Sequence, residues 1–307
     1  MPEGHSVHRL ARQLGDVFAG RPVRVSSPQG RFANGAARLD GRVLTGARAH
    51  GKQLFMSFAA PNDAADVLIL RSHLGIYGAW SFVGDETFQA ASSIGAPRKV
   101  GEQETGSAAG STVAYDDAGL VVPDAPIGAV RARLVGEHGW ADLRGPALCT
   151  VETPVEAAVA EAKLGPDPLD PDADPEPFIA KAGKSKRPIA VLLMEQNVVA
   201  GIGNIFRAES LFRRKVNPFL PGTSLSREDL VGLWDENVAL MDIGVRLGRI
   251  ITTDPADRPG VPEAEAWPHH GNYVYHRHGQ PCLHCGTTVL RQDLNGRALY
   301  WCPGCQK

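Results

Sequence analysis

Four of the five cysteines stand in two tight pairs, Cys282-x2-Cys285 and Cys302-x2-Cys305, with sixteen residues between the pairs. Two such knuckles at that distance have the spacing of a zinc site. Four thiolates close a tetrahedral shell and leave no position for water, so the expected ion is structural and not catalytic. His284 lies inside the first knuckle, where four sulfurs already suffice. Between the knuckles, Asn295-Gly296 is flanked by strand-like runs, the pattern of a two-residue hairpin whose tip would carry Arg297. A ribbon of this kind serves DNA contact, protein contact or stability alone.

A second chemical group is the chain start. Pro2 is small enough to permit removal of Met1, which would expose a secondary amine. Such an amine attacks an aldehyde-like carbon to give an iminium ion, an electron sink that acidifies neighbouring protons. The positive end of a following helix would keep the amine unprotonated, and Glu3 beside it could move protons. Pro and Glu are also ordinary residues for starting a helix.

A third feature is NVVAGIGNIF, residues 197–206. Gly201 and Gly203 permit close backbone approach, and Asn204 would open a helix whose free N–H groups favour an anion such as phosphate. Arg207, Arg213, Arg214 and Lys215 add charge on or after that helix, and Lys181, Lys184, Lys186 and Arg187 lie upstream. A plain helix–turn–helix corner with a solvated charged face fits the same residues.

The elements that must position these groups follow from periodicity. Val7, Leu10, Ala11, Leu14 and Phe18 recur at helical spacing, and Gly20 and Pro22 stop that helix. Short β-prone runs follow at Val23–Ser26, Leu54–Phe58, Val67–Leu70 and Val113–Tyr115. Ala90–Ser111 reads as a mobile loop or insertion. Pro154–Lys163 reads as helix, GPDPLDPDADPEP as a connector, Pro188–Asn197 as a helix start and apolar run, and helical patterns extend to about Leu247. Residues 252–266 read as a Pro/Asp/Glu-rich linker. The chain has 307 residues, 43% of them apolar, enough for two or three domains. The net charge of −2 neither requires nor excludes a nucleic-acid partner, which needs only a local basic surface. No apolar run reaches 18 residues, and MPEGHSVHRL lacks the layout of a signal peptide, so the expected place is the cytoplasm, with no membrane association.

Taken in order, MPEG, HGKQLF around Lys52, HLGIYGAW at 73–80, GPDPLD at 165–170, NVVAGIGNIF with AESLF, and GRALYWCPGCQ resemble the landmarks of the formamidopyrimidine-DNA glycosylase and endonuclease VIII family. The start, HLGIYGAW and the ending are more similar to the endonuclease VIII branch. The resemblance covers nearly the whole chain. It implies an α+β multidomain fold: an N-terminal helix plus β-sandwich (1–150), a helix–two-turns–helix domain (151–262) and a zinc-finger β-hairpin (268–307). It implies a bifunctional DNA glycosylase and AP lyase of base excision repair, a monomer acting on damaged DNA, with oxidised pyrimidines as substrates and one structural zinc ion.

By that resemblance Pro2 is the nucleophile at C1′ and Glu3 the acid and proton shuttle. Lys52 contacts phosphate and assists catalysis. Asn204 and Arg297 grip phosphates, and Ile76 and Tyr77 fill the space left by the flipped nucleotide. Sheet core is the other reading of that last pair. The chemistry implied is base displacement, then β- and δ-elimination. The alternatives are a lyase acting mainly on abasic sites and a DNA-damage-binding protein without catalysis. Two positions depart from the family: Ser6 stands where a glutamate is usual, and Gly75 where endonuclease VIII relatives carry a polar side chain.

Overall fold

The computed structural model describes residues 2–96, 110 and 112–307. Residues 97–109 and 111, most of the stretch expected as a mobile loop, lie outside the described residues. The chain divides into two compact units, one of residues 1–2 and 6–162 and one of residues 3–5 and 163–307.

The first unit opens with α1 (Gly4–Phe18). Val7, Leu10, Ala11, Leu14 and Phe18, the positions singled out by their spacing, are all buried. The helix ends where Gly20 turns with φ 81° and donates its N–H to Leu44 O. There follow β1 (Arg24–Ser26), α2 (Ala33–Leu39), β2 (Val43–His50), β3 (Gln53–Ala60), β4 (Asp63–His73), β5 (Ala79–Gly84), β6 (Ser93–Gly95), β7 (Ala114–Tyr115), β8 (Val121–Val122), β9 (Val130–Val135), β10 (Gly139–Arg144), β11 (Leu148–Glu152) and α3 (Pro154–Glu161). One sheet runs β1-β9-β10-β5-β6 and the other β11-β4-β3-β2. Their inner faces share a core with α1, in which Met56, Phe58 and Leu70 from one sheet meet Trp80, Phe82 and Leu143 from the other. This is the expected sandwich. Each β-prone run named from the sequence lies in or beside a strand.

The second unit holds α4 (Glu176–Gly183), α5 (Ile189–Leu192), α6 (Asn204–Arg213), α7 (Arg227–Leu247) and a hairpin of β12 (Leu290–Leu294) and β13 (Arg297–Trp301). Helix α5 is a single turn, not the run to Asn197 that the apolar pattern suggested. After Leu192 the apolar Leu193, Val198 and Val199 are buried through turns, and apolar pattern alone does not separate the two. A capping box starts α7, with Ser226 Oγ accepting from Asp229 N at 3.1 Å, and Gly248 ends it at φ 69°. Leu299 of β13 is buried in the same core as Phe206, Leu211 and Met241. In the hairpin turn, Asn295 and Gly296 adopt φ 52° and 72°, both left-handed as a type I′ turn requires.

Both stretches read as connectors are pinned. Gly165 N donates to Gln196 O at 2.8 Å and Ala200 N to Pro166 O at 2.9 Å, so GPDPLD packs on the 196–200 turn. A Cβ on Gly165 would stand 2.5 Å from the Val198 carbonyl, so only glycine fits there. Residues 252–266 are held by the Tyr273 hydroxyl, which donates to Asp257 at 2.6 Å, and by the Arg213 guanidinium on Thr252 O at 2.7 Å.

Candidate active site and metal centre

Gln196 organises the glycine-rich turn. Its Nε2 donates to Met194 O and Ile202 O, each at 3.1 Å, and its Oε1 accepts from Gly201 N at 3.0 Å. Gly201 has φ 88°, and its carbonyl accepts from Gly4 N at 2.8 Å. That bond seats Glu3 at the start of α6. The Glu3 carboxylate is fully buried and accepts from Gly203 N at 2.9 Å, Ile205 N at 2.8 Å and Phe206 N at 3.3 Å. Gly203 is forced by this contact, because a Cβ there would overlap the Glu3 carboxylate, with Oε1 at 2.6 Å.

The expectation of an anion at this helix start is met from within the chain. Carboxylate, not phosphate, is the guest, because Glu3 directly precedes Gly4, whose N–H is docked on Gly201 O. Oε2 accepts two of these N–H groups and Oε1 only one, so the lone pair that remains for a proton is on Oε1.

Asn204 and Arg207 bind the hairpin. Asn204 Nδ2 donates to Ala298 O at 2.8 Å, and Arg207 donates to Asn204 Oδ1 and to Ala298 O, the latter at 3.2 Å. Ala298 directly follows Arg297. Asn204 is also hydrogen-bonded to the Tyr275 side chain. Arg207 is almost fully buried, and burial above all, with Arg297 adding to it, brings its guanidinium down to about 10 against the pull of Glu3.

The sequence counted Arg207 and Arg213 as charge offered to a phosphate, and both are spent internally. Arg213 pairs with Glu236 and, at 3.1 Å, with Asp254. Upstream, Lys181 Nζ donates to Asn197 O at 2.8 Å and Arg187 pairs with Glu195. What hid these roles is that a charge's partner lies on another element and leaves no local spacing.

In the first unit, Gly51 and Lys52 form the turn that joins β2 to β3. Burial, then the charges of Lys52 and Arg71, pull the nearby His73 imidazole below its ordinary value. His73 opposes Gln53, the residue after Lys52, across the β3–β4 ladder. In the sequence His73 is only the first residue of HLGIYGAW, with no spacing of its own that marks it. Ile76 and Tyr77 sit on the turn between β4 and β5, 44% and 81% exposed, which rules out sheet core for the pair. The departure at Gly75 has a steric reason: φ is 66° and a Cβ would stand 2.8 Å from the Ala147 methyl carbon. Ser6, the other departure, is buried on α1.

The four cysteine sulfurs of Cys282, Cys285, Cys302 and Cys305 lie within 4.8 Å of one another. Cys282 and Cys305 are 3.8 Å apart and Cys285 and Cys302 3.5 Å. A tetrahedron of zinc–sulfur bonds has edges of about 3.8 Å, so the sulfurs fit one structural zinc ion. His284 turns away, with Nε2 3.1 Å from Asp257. Gly304 is another forced glycine, since a Cβ would stand 2.9 Å from Cys285 Sγ. Gln306, unremarked in the sequence, is buried. Its Oε1 accepts from Cys302 N at 2.9 Å and its Nε2 donates to Val216 O at 3.0 Å, tying the second knuckle to the end of α6.

Three family models match the chain. They are the formamidopyrimidine-DNA glycosylase N-terminal domain over residues 1–118, the formamidopyrimidine-DNA glycosylase H2TH domain over 164–256, and the zinc finger found in FPG and IleRS over 279–307. Endonuclease 8 1 of Mycobacterium tuberculosis is 40% identical over 306 residues, covering 100% of both chains. Formamidopyrimidine-DNA glycosylase of Geobacillus kaustophilus is 40% identical over 146 residues, 48% of this chain and 52% of its own. Among solved structures, Lactococcus lactis Fpg with abasic-site DNA superposes with TM-score 0.69 at 20% identity over 99% of each chain. The MutM (Fpg) protein of Thermus thermophilus superposes with TM-score 0.67 at 24% identity over 99% of this chain and 98% of its own. With a full-length relative at that identity and its three parts matched in order, the chain belongs to the formamidopyrimidine-DNA glycosylase and endonuclease VIII family.

Proposed function

We propose that this chain is a bifunctional DNA glycosylase and AP lyase of base excision repair. It acts as a monomer in the cytoplasm on DNA carrying oxidised pyrimidines. Among the described residues no helix is long and apolar enough to cross a membrane. The observation that carries the reading is the seating of Glu3. A fully buried carboxylate held by three backbone N–H groups of the glycine-rich turn fixes the chain's first residues, and with them the peptide that follows Pro2. A docked N-terminus is what an N-terminal nucleophile requires, since reach and orientation dominate such a step.

In this reading the Pro2 amine attacks C1′ of an everted nucleotide, and the glycosidic bond breaks with its electron pair on the base. Loss of the sugar ring oxygen from C1′ leaves the iminium. Removal of a C2′ proton then expels the 3′ phosphate, and a second elimination expels the 5′ phosphate, leaving a one-nucleotide gap. Lys52 supplies positive charge to the backbone from the β2–β3 turn. Ile76 and Tyr77, exposed on their turn, enter the vacated stack.

Arg297 takes a flanking phosphate from the hairpin tip. Asn204 holds the hairpin carbonyl of Ala298 and reaches a phosphate by exchanging that partner. Cys282, Cys285, Cys302 and Cys305 would hold zinc, which supplies rigidity to the hairpin and takes no part in any bond change.

The test compares three duplexes, one with thymine glycol, one with an abasic site and one undamaged. Gap formation with phosphate at both ends on the first two supports the proposal. Cleavage of the abasic duplex alone would instead make the chain a lyase. Binding without cleavage would make it a damage-binding protein.

A further inference from the structure

The lyase step needs a group that accepts the C2′ proton, and Glu3 is wholly buried with three of its roughly four lone pairs taken by N–H groups at the start of α6. The second unit presents another candidate in His276. The backbone before it is clamped by a fully buried carboxylate, Glu209, which accepts from Tyr273 N at 2.8 Å, Val274 N at 2.9 Å and Tyr275 N at 2.7 Å. After it, Arg277 N donates to Val274 O at 3.0 Å and the Arg277 side chain to Tyr273 O at 2.8 Å. Between these clamps His276 is held at φ 58°, in the left-handed region.

Glycine takes that conformation without strain, and the chain uses it three residues on, at Gly279 with φ 81°. Asn295 and Lys215 share the conformation, but one lies in the hairpin turn and the other just past the end of α6. An imidazole kept where glycine is easier marks a position whose side chain has a use.

Its surroundings give that use a direction. The His276 ring stacks on Tyr275, centroids 4.3 Å apart and planes 12° from parallel, and meets Tyr300 edge-on at 5.5 Å. Tyr275 is hydrogen-bonded to Asn204, and after burial it is the Glu3 carboxylate that pushes its phenol upward. One aromatic ring therefore separates His276 from the Glu3–Asn204 set, and the residue remains exposed. Partial burial against the tyrosines first, and the Arg291 charge, pull the imidazole below its ordinary value, which leaves an acceptor nitrogen.

We propose that His276 is the proton acceptor of the lyase step, a role that rests on the Schiff-base reading above. An imidazole nitrogen takes the proton from C2′, and the C2′–H electron pair forms C1′=C2′ as the iminium becomes a neutral enamine. The enamine pair then forms C2′=C3′, and the C3′–O bond breaks with its electrons on the departing phosphate. The imidazolium returns its proton to water.

The test uses His276→Gly, which relaxes the turn, and His276→Asn, which tolerates it. Both are assayed with the zinc-loaded protein on an abasic-site duplex, with borohydride trapping and single-turnover strand cleavage measured in parallel. The expected result is trapping within about twofold of wild type and cleavage slowed by about 100-fold in both variants, with added imidazole restoring part of the rate in His276→Gly. Cleavage within about threefold of wild type overturns the proposal. So does an equal fall of trapping and cleavage, which would make the residue structural. Failure of the wild-type protein to trap would sink the Schiff-base reading itself, and the proposal with it.

Discussion

Glu3→Gln separates the structural work of Glu3 from any chemistry it performs. In the better of its two orientations the amide oxygen keeps Gly203 N and Phe206 N and the NH2 faces Ile205 N, a donor that in the wild-type chain bonds Glu3 Oε1 at 2.8 Å. One hydrogen bond to a charged group is lost, about 1.5–3 kcal/mol. The interaction of a buried charge with the helix start adds about 0.5–2 kcal/mol. The sum is roughly 2–5 kcal/mol, and at about 2–4 °C per kcal/mol for a unit of this size the melting temperature of the second unit should fall by about 4–20 °C. Calorimetry of the zinc-loaded protein reads this without substrate. A melting temperature within about 1 °C of wild type would refute the reasoning, since it would mean that Glu3 does not cap α6.

Gly203→Ala should reproduce the loss of stability, because its Cβ would displace the Glu3 carboxylate. Combined with Glu3→Gln it should add little, and full additivity in calorimetry would show that the two residues do not act on each other. Cys302→Ser should lose zinc, measured by metal analysis, and should loosen the Gln306 tie to Val216, seen as faster amide exchange at the end of α6. Full zinc content would count against four-sulfur ligation. Arg297→Ala should weaken DNA binding and lower the slope of log K against log salt by about one. An unchanged slope would mean that Arg297 touches no phosphate.

Much of the fold was legible in local pattern. The five apolar positions of α1 and the Asn-Gly hairpin are set by neighbours in sequence, and both stand as read. The metal site was legible because four thiols at that spacing have little else to do. What was not legible depends on partners far along the chain. Glu3 and the 203–206 turn are about two hundred residues apart, and no spacing rule shows that a carboxylate, not a phosphate, fills that helix start. Arg207 and Arg213 read as surface charge for the same reason. The Pro/Asp-rich connectors read as loose because composition reports what a segment lacks, not what it is tied to, and backbone bonds to Gln196 O and Pro166 O leave no compositional trace. Gln196 and Gln306 each order a site through their amides, yet a lone glutamine carries no sequence signal.

The central claim is that the chain's second residue is a nucleophile. Borohydride reduction of the protein on an abasic-site duplex, followed by peptide mass mapping, tests it most directly. The account predicts one adduct, on the secondary amine of Pro2 in protein that has lost Met1. An adduct on a lysine, Lys52 included, or none from zinc-loaded protein that binds the duplex, would contradict it.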